Sequence, residues 1–361
     1  MKKKKILEFC LGNGLGGLEL SAVNCFEYFK NMTECHIIVA PNTKLDDFIK
    51  SKEKTVIKRN KFFPFIPALK LANFIDKNEI DIIHFHWGKD IVTVVLAKLL
   101  SKKKPKIVHS RHMNMTRFKD DFYHRWLYKN IDLLHAVTKQ IQEQMQKFIP
   151  ETIIPPIKTI YLGAKESQVD VQKVESLRAN YGIKDEFVVG IVGRICEDKG
   201  QYIVIEAIEK LKELNIKALI IGHTMSDNYL RELKQKVHAL DLQNNIIFSG
   251  FTKDVNEHIK LCDVTVLASY KETFGLVVIE SMINKVCAIA TDRSGPLEII
   301  DDNTNGLLFD RAAEGLASKI EYLYKNPDIK KSLAQAGYEK AKREFDYDTQ
   351  MQKLYDAIQS A

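Results

Sequence analysis

The chain has little sulfur chemistry to offer: six cysteines (Cys10, Cys25, Cys35, Cys196, Cys262 and Cys287) in 361 residues, none in a C-x-x-C pair. A zinc knot or disulfide framework is therefore not encoded, and the scatter suits a reducing compartment. Long apolar runs are also missing; none approaches the roughly 20 residues needed to span a bilayer. The lysine-rich start followed by Ile6–Leu11 has the outline of a signal peptide, but the run is short, contains Glu8 and breaks into glycines. A cleavable signal is not expected, and the expected location is cytoplasmic, with peripheral contact at the inner face of a membrane as an option. Internal repeats and low-complexity segments are absent too.

What is present is a chain 45% hydrophobic and 28% charged, the balance of a folded globular protein. Its length exceeds one ordinary core and suits two domains. Charge is uneven. Residues 1–165 hold 29 lysines and arginines against 16 acids, whereas the remainder holds 25 against 31. An excess of cations in the first half fits an anionic partner such as a phosphorylated glycan, a polyprenyl diphosphate or an acidic leaflet. Solvated lysine-rich faces give the same count, and both readings stay open.

Short apolar strands alternate with amphipathic helices from end to end. Strands are predicted over 5–11, 36–40, 80–85, 106–110 and 132–137, then over 187–192, 217–222, 246–249, 263–268, 286–291 and 306–309. Helices are expected between them, among them 19–30, 139–148, 201–214 and 274–284, and over 332–361 with a break near 346–348. This alternation implies βαβ units and two Rossmann-like, doubly wound α/β domains. The expected division is 1–165 and 176–346, linked by the polar stretch 163–176, with the terminal helix 347–361 packing back on the first domain.

Gly12-Asn-Gly14-Leu-Gly16-Gly17 follows the first strand and opens a helix, so Gly12, Gly14 and Gly17 match G-x-G-x-x-G. Such a loop suits a phosphate, because glycine lets backbone N–H groups approach an anion at a helix start. An NAD enzyme would also want an acid at the end of the second strand. Here that strand runs into Pro41-Asn42-Thr43, with Asp46 and Asp47 too late. A phosphate site and a structural tight turn both remain, and an NAD-dependent oxidoreductase is the literal alternative.

The second half carries a denser constellation. Arg194 closes a buried strand and Lys199 precedes a helix, placing two cations at the crevice where open α/β sheets bind ligands. Two fixed cations can neutralise a leaving diphosphate without a metal. Glu272 and Glu280 lie eight residues apart, the first in a loop and the second inside an apolar helix, where a lone carboxylate is costly. Glu280 should have a partner, and a ribose diol would serve. Free N–H groups around Gly275 would face an anion.

These residues resemble the group 1 (family 4) retaining glycosyltransferases of GT-B fold. The matches are Gly16-Gly17, V-G-R…D-K-G at 192–200, Gly250 in FSGF, E-x7-E at 272–280, SGPLEII at 294–300 and NGLLF at 305–309. The resemblance implies two Rossmann-like domains facing each other across a cleft, the first serving the acceptor and the second the nucleotide sugar. It implies that Glu280 holds the ribose hydroxyls and that Arg194 and Lys199 hold the diphosphate with help from the Gly17 backbone. Glu272 and the Phe274-Gly275-Leu276 backbone would contact the sugar, and Phe251 the nucleobase or ribose. The family histidine near the donor sugar falls on His112, with His109 inside its strand. His84 and His86 read as shaping the site; with no carboxylate or thiolate at suitable spacing, no metal site is expected among these histidines.

The departures are local. Lys285 and Cys287 stand where the family has Gly and Pro, removing an easy left-handed helix cap. Leu162-Gly163 replaces an interdomain N-G. The implied reaction is transfer of a hexose-type sugar with retention, without metal or other cofactor, His112 and Glu272 positioning the sugar and domain closure excluding water. Expected partners are the nucleotide sugar and a glycan or lipid-linked anionic acceptor in surface polysaccharide or lipopolysaccharide synthesis; no nucleic acid is expected. Lys58-Arg59 and Lys61-Phe-Phe-Pro-Phe65 could dip into a membrane interface or pack as an ordinary loop. A nonenzymatic sugar-nucleotide-binding protein is the other alternative.

Overall fold

The computed structural model describes residues 3–49, 53–60, 63–166 and 168–361. They fall into two compact units, 1–161 with 349–361, and 162–348. In the first, seven strands run parallel: β1 (Ile6–Cys10), β2 (Cys35–Val39), β3 (Lys54–Val56), β4 (Ile82–Phe85), β5 (Lys106–Arg111), β6 (Leu133–Ala136) and β7 (Ile157–Thr159). Their order is β3-β2-β1-β4-β5-β6-β7. The second unit has β8 (Phe187–Val192), β9 (Ile216–Ile221), β10 (Ile246–Gly250), β11 (Val264–Leu267), β12 (Cys287–Thr291) and β13 (Leu307–Phe309), ordered β10-β9-β8-β11-β12-β13.

The inner strands form because their side chains are apolar on both faces, as a sheet covered by helices on each side demands. Every residue of β1 and β4 is buried. In the second unit, β8, β9, β11 and β12 pack against the helix Gln201–Lys210 and the helix Ala313–Lys325 in one core cluster. Helix starts are fixed locally. Thr138 Oγ1 accepts from Ile141 N–H and Ser226 Oγ from Tyr229 N–H; caps of this kind contribute about 1 kcal/mol each.

Two strands and four helices escape the sequence reading. β3 and β7 are three-residue strands at the two edges of the first sheet, too short and too exposed for an apolar run. The helices Lys44–Phe48, Phe122–Tyr128 and Pro296–Ile299 are brief. The fourth, Val171–Asn180, occupies much of the stretch read as a link; it buries none of its residues, so its pattern resembles a polar connection. Gly163 remains a glycine for a steric reason: a Cβ there would stand 2.6 Å from Tyr347 Cα. Next to it Ala164 N–H donates to Phe345 O at 3.0 Å, joining the two ends of the second unit. The helix break comes between Pro327–Glu344 and Tyr347–Gln359. Within the first unit, Lys4 N–H donates to Gln359 Oε1 at 2.9 Å and Tyr28 Oη to Gln352 Oε1 at 3.3 Å.

Strand order reverses at β1/β4 in one sheet and at β8/β11 in the other. These are the switch points beyond which doubly wound sheets open a crevice at the carboxyl ends of their strands. Among the described residues no helix is long and apolar enough to cross a membrane.

Candidate active site

In the second unit the predicted residues share one edge. Arg194 follows β8, Phe251 follows β10, and Glu272 to Gly275 follow β11. Lys199 ends a short 3-10 turn whose chain is tied to the next loop by Tyr270 N–H donating to Asp198 O at 2.8 Å. Lys199 Nζ donates to Glu272 Oε2 at 2.7 Å, and Ser269 Oγ reaches the same oxygen at 3.1 Å. The ammonium expected to face a diphosphate thus already carries a carboxylate partner, with further donors to spare. Arg194 differs: it is exposed, and its guanidinium makes no hydrogen bond or ion pair with the described residues.

Gly275 lies in the left-handed region (φ +105°) and starts the helix Leu276–Ile283 without a side-chain cap. Glycine has no side chain with which to cap the first-turn N–H groups, so the N-cap residue itself supplies them no acceptor. The Phe274 ring is buried against Phe345, at 5.9 Å between centroids, which leaves its backbone as the part that could meet a ligand. Phe251 is 61% exposed and packs edge-on to His223 at 6.1 Å. Glu280 is partly buried, and no described group hydrogen-bonds or pairs with its carboxylate. Burial alone pushes its pKa up to about 7. Arg311, which the sequence does not single out, braces this edge by donating from Nε to Ala268 O at 3.1 Å.

In the first unit the glycine loop is closed by its own helix. Glu19 Oε2 accepts from Gly16 N–H at 2.9 Å, and a Cβ on Gly12 would stand 2.8 Å from Glu19 Oε1. The anion that Gly16 holds is thus an internal capping carboxylate. Gly17 is open, with nothing within 4 Å of a Cβ built on it.

Behind the loop lies a chain of buried polar groups. Glu8 on β1 meets His84 Nδ1 at 2.9 Å and His86 Nε2 at 2.8 Å. His84 Nε2 is 2.6 Å from Ser110 Oγ, which is 2.5 Å from His135 Nδ1, and His135 Nε2 is 2.8 Å from Ile160 O. His86 Nδ1 meets His112 Nε2 at 3.1 Å. A carbonyl can only accept, so with neutral imidazoles the direction follows throughout. His135 Nε2–H donates to Ile160, Ser110 O–H to His135, and His84 Nε2–H to Ser110. His84 Nδ1 must then accept from a protonated Glu8, whose other oxygen accepts from His86 Nε2–H. His112 Nε2–H in turn donates to His86, leaving His112 Nδ1 as an acceptor. Burial pushes the Glu8 carboxyl up to about 6, toward the protonated form, and His84 and His86 down to about 3 and 4.

This chain corrects one expectation. A carboxylate and a thiol do join the histidines: Glu8, Cys25, His84 and His86 each bring a ligand-type atom within 4.8 Å of the others. The Glu8 and histidine atoms, however, are already satisfied by one another. Burial also pushes the Cys25 thiol well above its usual range, away from the thiolate a metal prefers. The sequence signal for Glu8 was an ionisable residue inside an apolar strand; for Ser110 and His135 there was none. His112 follows β5, and it lines a cavity of about 520 Å³ within the first unit.

The comparisons with known proteins agree with this layout. Residues 15–166 match the model of Glycosyltransferase Family 4, and residues 173–340 that of Glycosyl transferases group 1. EpsD of Bacillus subtilis (strain 168), assigned as a glycosyltransferase, is 29% identical over 92% of this chain and 91% of its own. N-acetyl-alpha-D-glucosaminyl L-malate synthase of Bacillus anthracis is 24% identical over 77% of this chain and 74% of its own. Among solved structures, Anabaena HepE in complex with UDP and glucose superposes with a TM-score of 0.87 at 21% identity, covering 99% of this chain and 100% of that one. Two parallel sheets with interleaved helices, a fold shared with GT-B enzymes, and matches that together run through nearly the whole sequence lead to one conclusion: the chain belongs to the group 1, family 4 glycosyltransferases.

Proposed function

We propose that the protein is a retaining, metal-independent transferase that moves a hexose-type sugar from a nucleoside-diphosphate donor to a glycan or lipid-linked anionic acceptor. The observation that carries this reading is Glu280, a half-buried carboxylate without a protein partner on the same edge as the unpaired Arg194. A buried polar group left unsatisfied is destabilising unless a ligand completes it, and a ribose diol offers two O–H donors. UDP is the first nucleotide to test, since HepE structures of like fold hold UDP and UDP-glucose. Relatives named for capsular polysaccharide and lipopolysaccharide synthesis make a cell-surface glycan the product class.

In this reading Arg194 and Lys199 stabilise the departing diphosphate, Lys199 keeping Glu272 in place for the sugar. Phe251 lies against the base or ribose, and the Phe274–Leu276 backbone and Gly17 offer N–H groups to the anion or sugar, the Gly16 N–H being held by Glu19. His112 Nδ1 accepts from a sugar hydroxyl, its tautomer fixed by His86 and Glu8. The bond from the anomeric carbon to the phosphate oxygen breaks, and the bond to the acceptor oxygen forms on the same face. The acceptor proton passes to the departing phosphate, so no enzyme nucleophile is needed. One preorganised contact to the developing anion contributes about 3–4 kcal/mol, which sets the scale for Arg194→Met. The test is the anomeric configuration of the product, read by NMR, with EDTA in excess. A retained configuration is expected; an inverted product contradicts the mechanism, and loss of activity restored by a divalent ion contradicts metal independence.

A further inference from the structure

The cavity beside His112 has a charge that the donor chemistry leaves unused. Its lining includes Arg59, Lys89, Arg111 and Lys119 and contains no aspartate or glutamate. None of these four pairs with a carboxylate among the described residues. Other lysines of the same unit are neutralised: Lys5 by Glu34, Lys54 by Asp46, Lys98 and Lys106 by Asp132, and Lys103 by Asp81. Uncompensated cations gathered in one concavity raise its potential and concentrate anions there. Two acids lie nearby without pairing with these cations. Asp90 is buried, accepts from Leu11 N–H through Oδ2 at 2.8 Å and has its pKa pushed up to about 7 by burial, and Asp121 is taken up by His124, so together they offset the four cations only in part.

The cations are held in place. Arg59 and Lys89 lie 4.5 and 5.3 Å from the ring centre of Trp87, a contact that orders them while leaving their donors outward. Arg111 donates from Nε and Nη2 to the carbonyls of Met113 and Asn114, and Nη1 lies beside Gly88, 3.3 Å from where a Cβ would stand. His109, also a lining residue and 2% exposed, has its Nε2 without a partner. A buried imidazole nitrogen in that state awaits a ligand or water.

The rim is apolar. Pro64 and Tyr123 line the cavity, and next to them Phe63, Phe65, Ile66 and Phe122 are all more than half exposed. Lys61 and Phe62, expected to join them, lie outside the described residues. Phe63 and Phe65 do not pack into the core. Exposed aromatics beside a cationic hollow match a molecule with an anionic head and a hydrocarbon chain.

We propose that this cavity binds the phosphate or diphosphate head of a lipid-linked acceptor, with its hydrocarbon chain lying over the aromatic rim. The inference rests on the transferase reading, since it takes the occupant to be the acceptor. The four cations carry the head, as phosphate recognition by arginine and lysine requires.

The test is calorimetry on the full chain with its donor site saturated by UDP. Sodium pyrophosphate and a water-soluble short-chain prenyl diphosphate are titrated into wild type, a Lys89→Gln/Lys119→Gln variant and a Phe63→Ser/Phe65→Ser variant. Wild type should bind the prenyl diphosphate at least tenfold more tightly than pyrophosphate. The lysine variant should weaken both at least tenfold, and the phenylalanine variant only the prenyl form. UDP affinity should be the same in all three proteins, which also reports that they fold. Equal affinity for the two ligands overturns the lipid assignment, and a lysine variant that binds like wild type overturns the site. A chain that binds the prenyl diphosphate but no nucleoside diphosphate contradicts the transferase reading and leaves this site standing.

Discussion

Glu8 in the first unit and Glu280 in the second are both pushed toward the protonated form by burial, yet their surroundings are opposite. Glu8 is fully buried and has a histidine on each oxygen, in a chain that ends on a backbone carbonyl. Glu280 has no partner among the described residues. A buried acid whose hydrogen bonds are all made within the protein is part of the scaffold, and here it fixes the tautomer of a residue that faces solvent. A half-buried acid with no protein partner is left with acceptors for a ligand. The same contrast holds for the cations: Lys199 is matched by Glu272, whereas Arg194 and the four around the first-unit cavity are not.

Substitutions at three positions sharpen that contrast. Glu8→Leu should have the largest effect, because it leaves one nitrogen on each of two buried imidazoles without a partner; about 2–5 kcal/mol of first-unit stability should be lost. Both tryptophans, Trp87 and Trp126, lie in the first unit, so their fluorescence during urea unfolding reports on it selectively. Glu8→Gln should cost under about 1 kcal/mol, since an amide N–H can donate to His84 while its carbonyl accepts from His86. If Gln is as damaging as Leu, Glu8 is an anion paired with an imidazolium.

The second substitution is Glu280→Gln. An acid with a folded pKa of about 7 and an ordinary value of 4.5 binds more protons folded than unfolded between those limits. Wild-type stability should therefore fall as pH rises from 4.5 to 7 and level off above. Glu280→Gln cannot titrate, so its second-unit stability should gain on wild type across that window and match it most closely at pH 4, as read by thermal unfolding. Parallel curves would mean that Glu280 has a partner after all.

The smallest effect is expected at Lys285. It takes the left-handed conformation (φ +56°) where a glycine would sit without strain, with its ammonium 4.5 Å from the Tyr338 ring centre. Lys285→Gly should raise second-unit stability by at most about 1 kcal/mol, the strain relieved being partly offset by the lost ring contact and the freer unfolded chain.

The parts of this account legible in the sequence are those written locally. Apolar runs such as Phe187–Val192 mark inner strands, and E-x7-E places one glutamate before a helix and the other within it. The Glu8 chain was not legible, because it depends on sheet order. Only when β4 lies beside β1 do Glu8 and His84 become register partners, only when β5 lies beside β4 can Ser110 reach His84, and only when β6 follows do Ser110 and His135 meet. Periodicity states which residues are buried and not which strand they will face. The closure of the glycine loop was hidden for a related reason: the motif names the donors, while Glu19 supplies the acceptor.

The most direct test of the central claim is calorimetric titration of UDP, with GDP and ADP beside it and EDTA present, into wild type and Glu280→Ala. One nucleoside diphosphate should bind wild type, and the variant should lose about 1.5–3 kcal/mol of that affinity, the range for a hydrogen bond to a charged group. A variant that binds as tightly as wild type would contradict the assignment of Glu280 to the donor ribose.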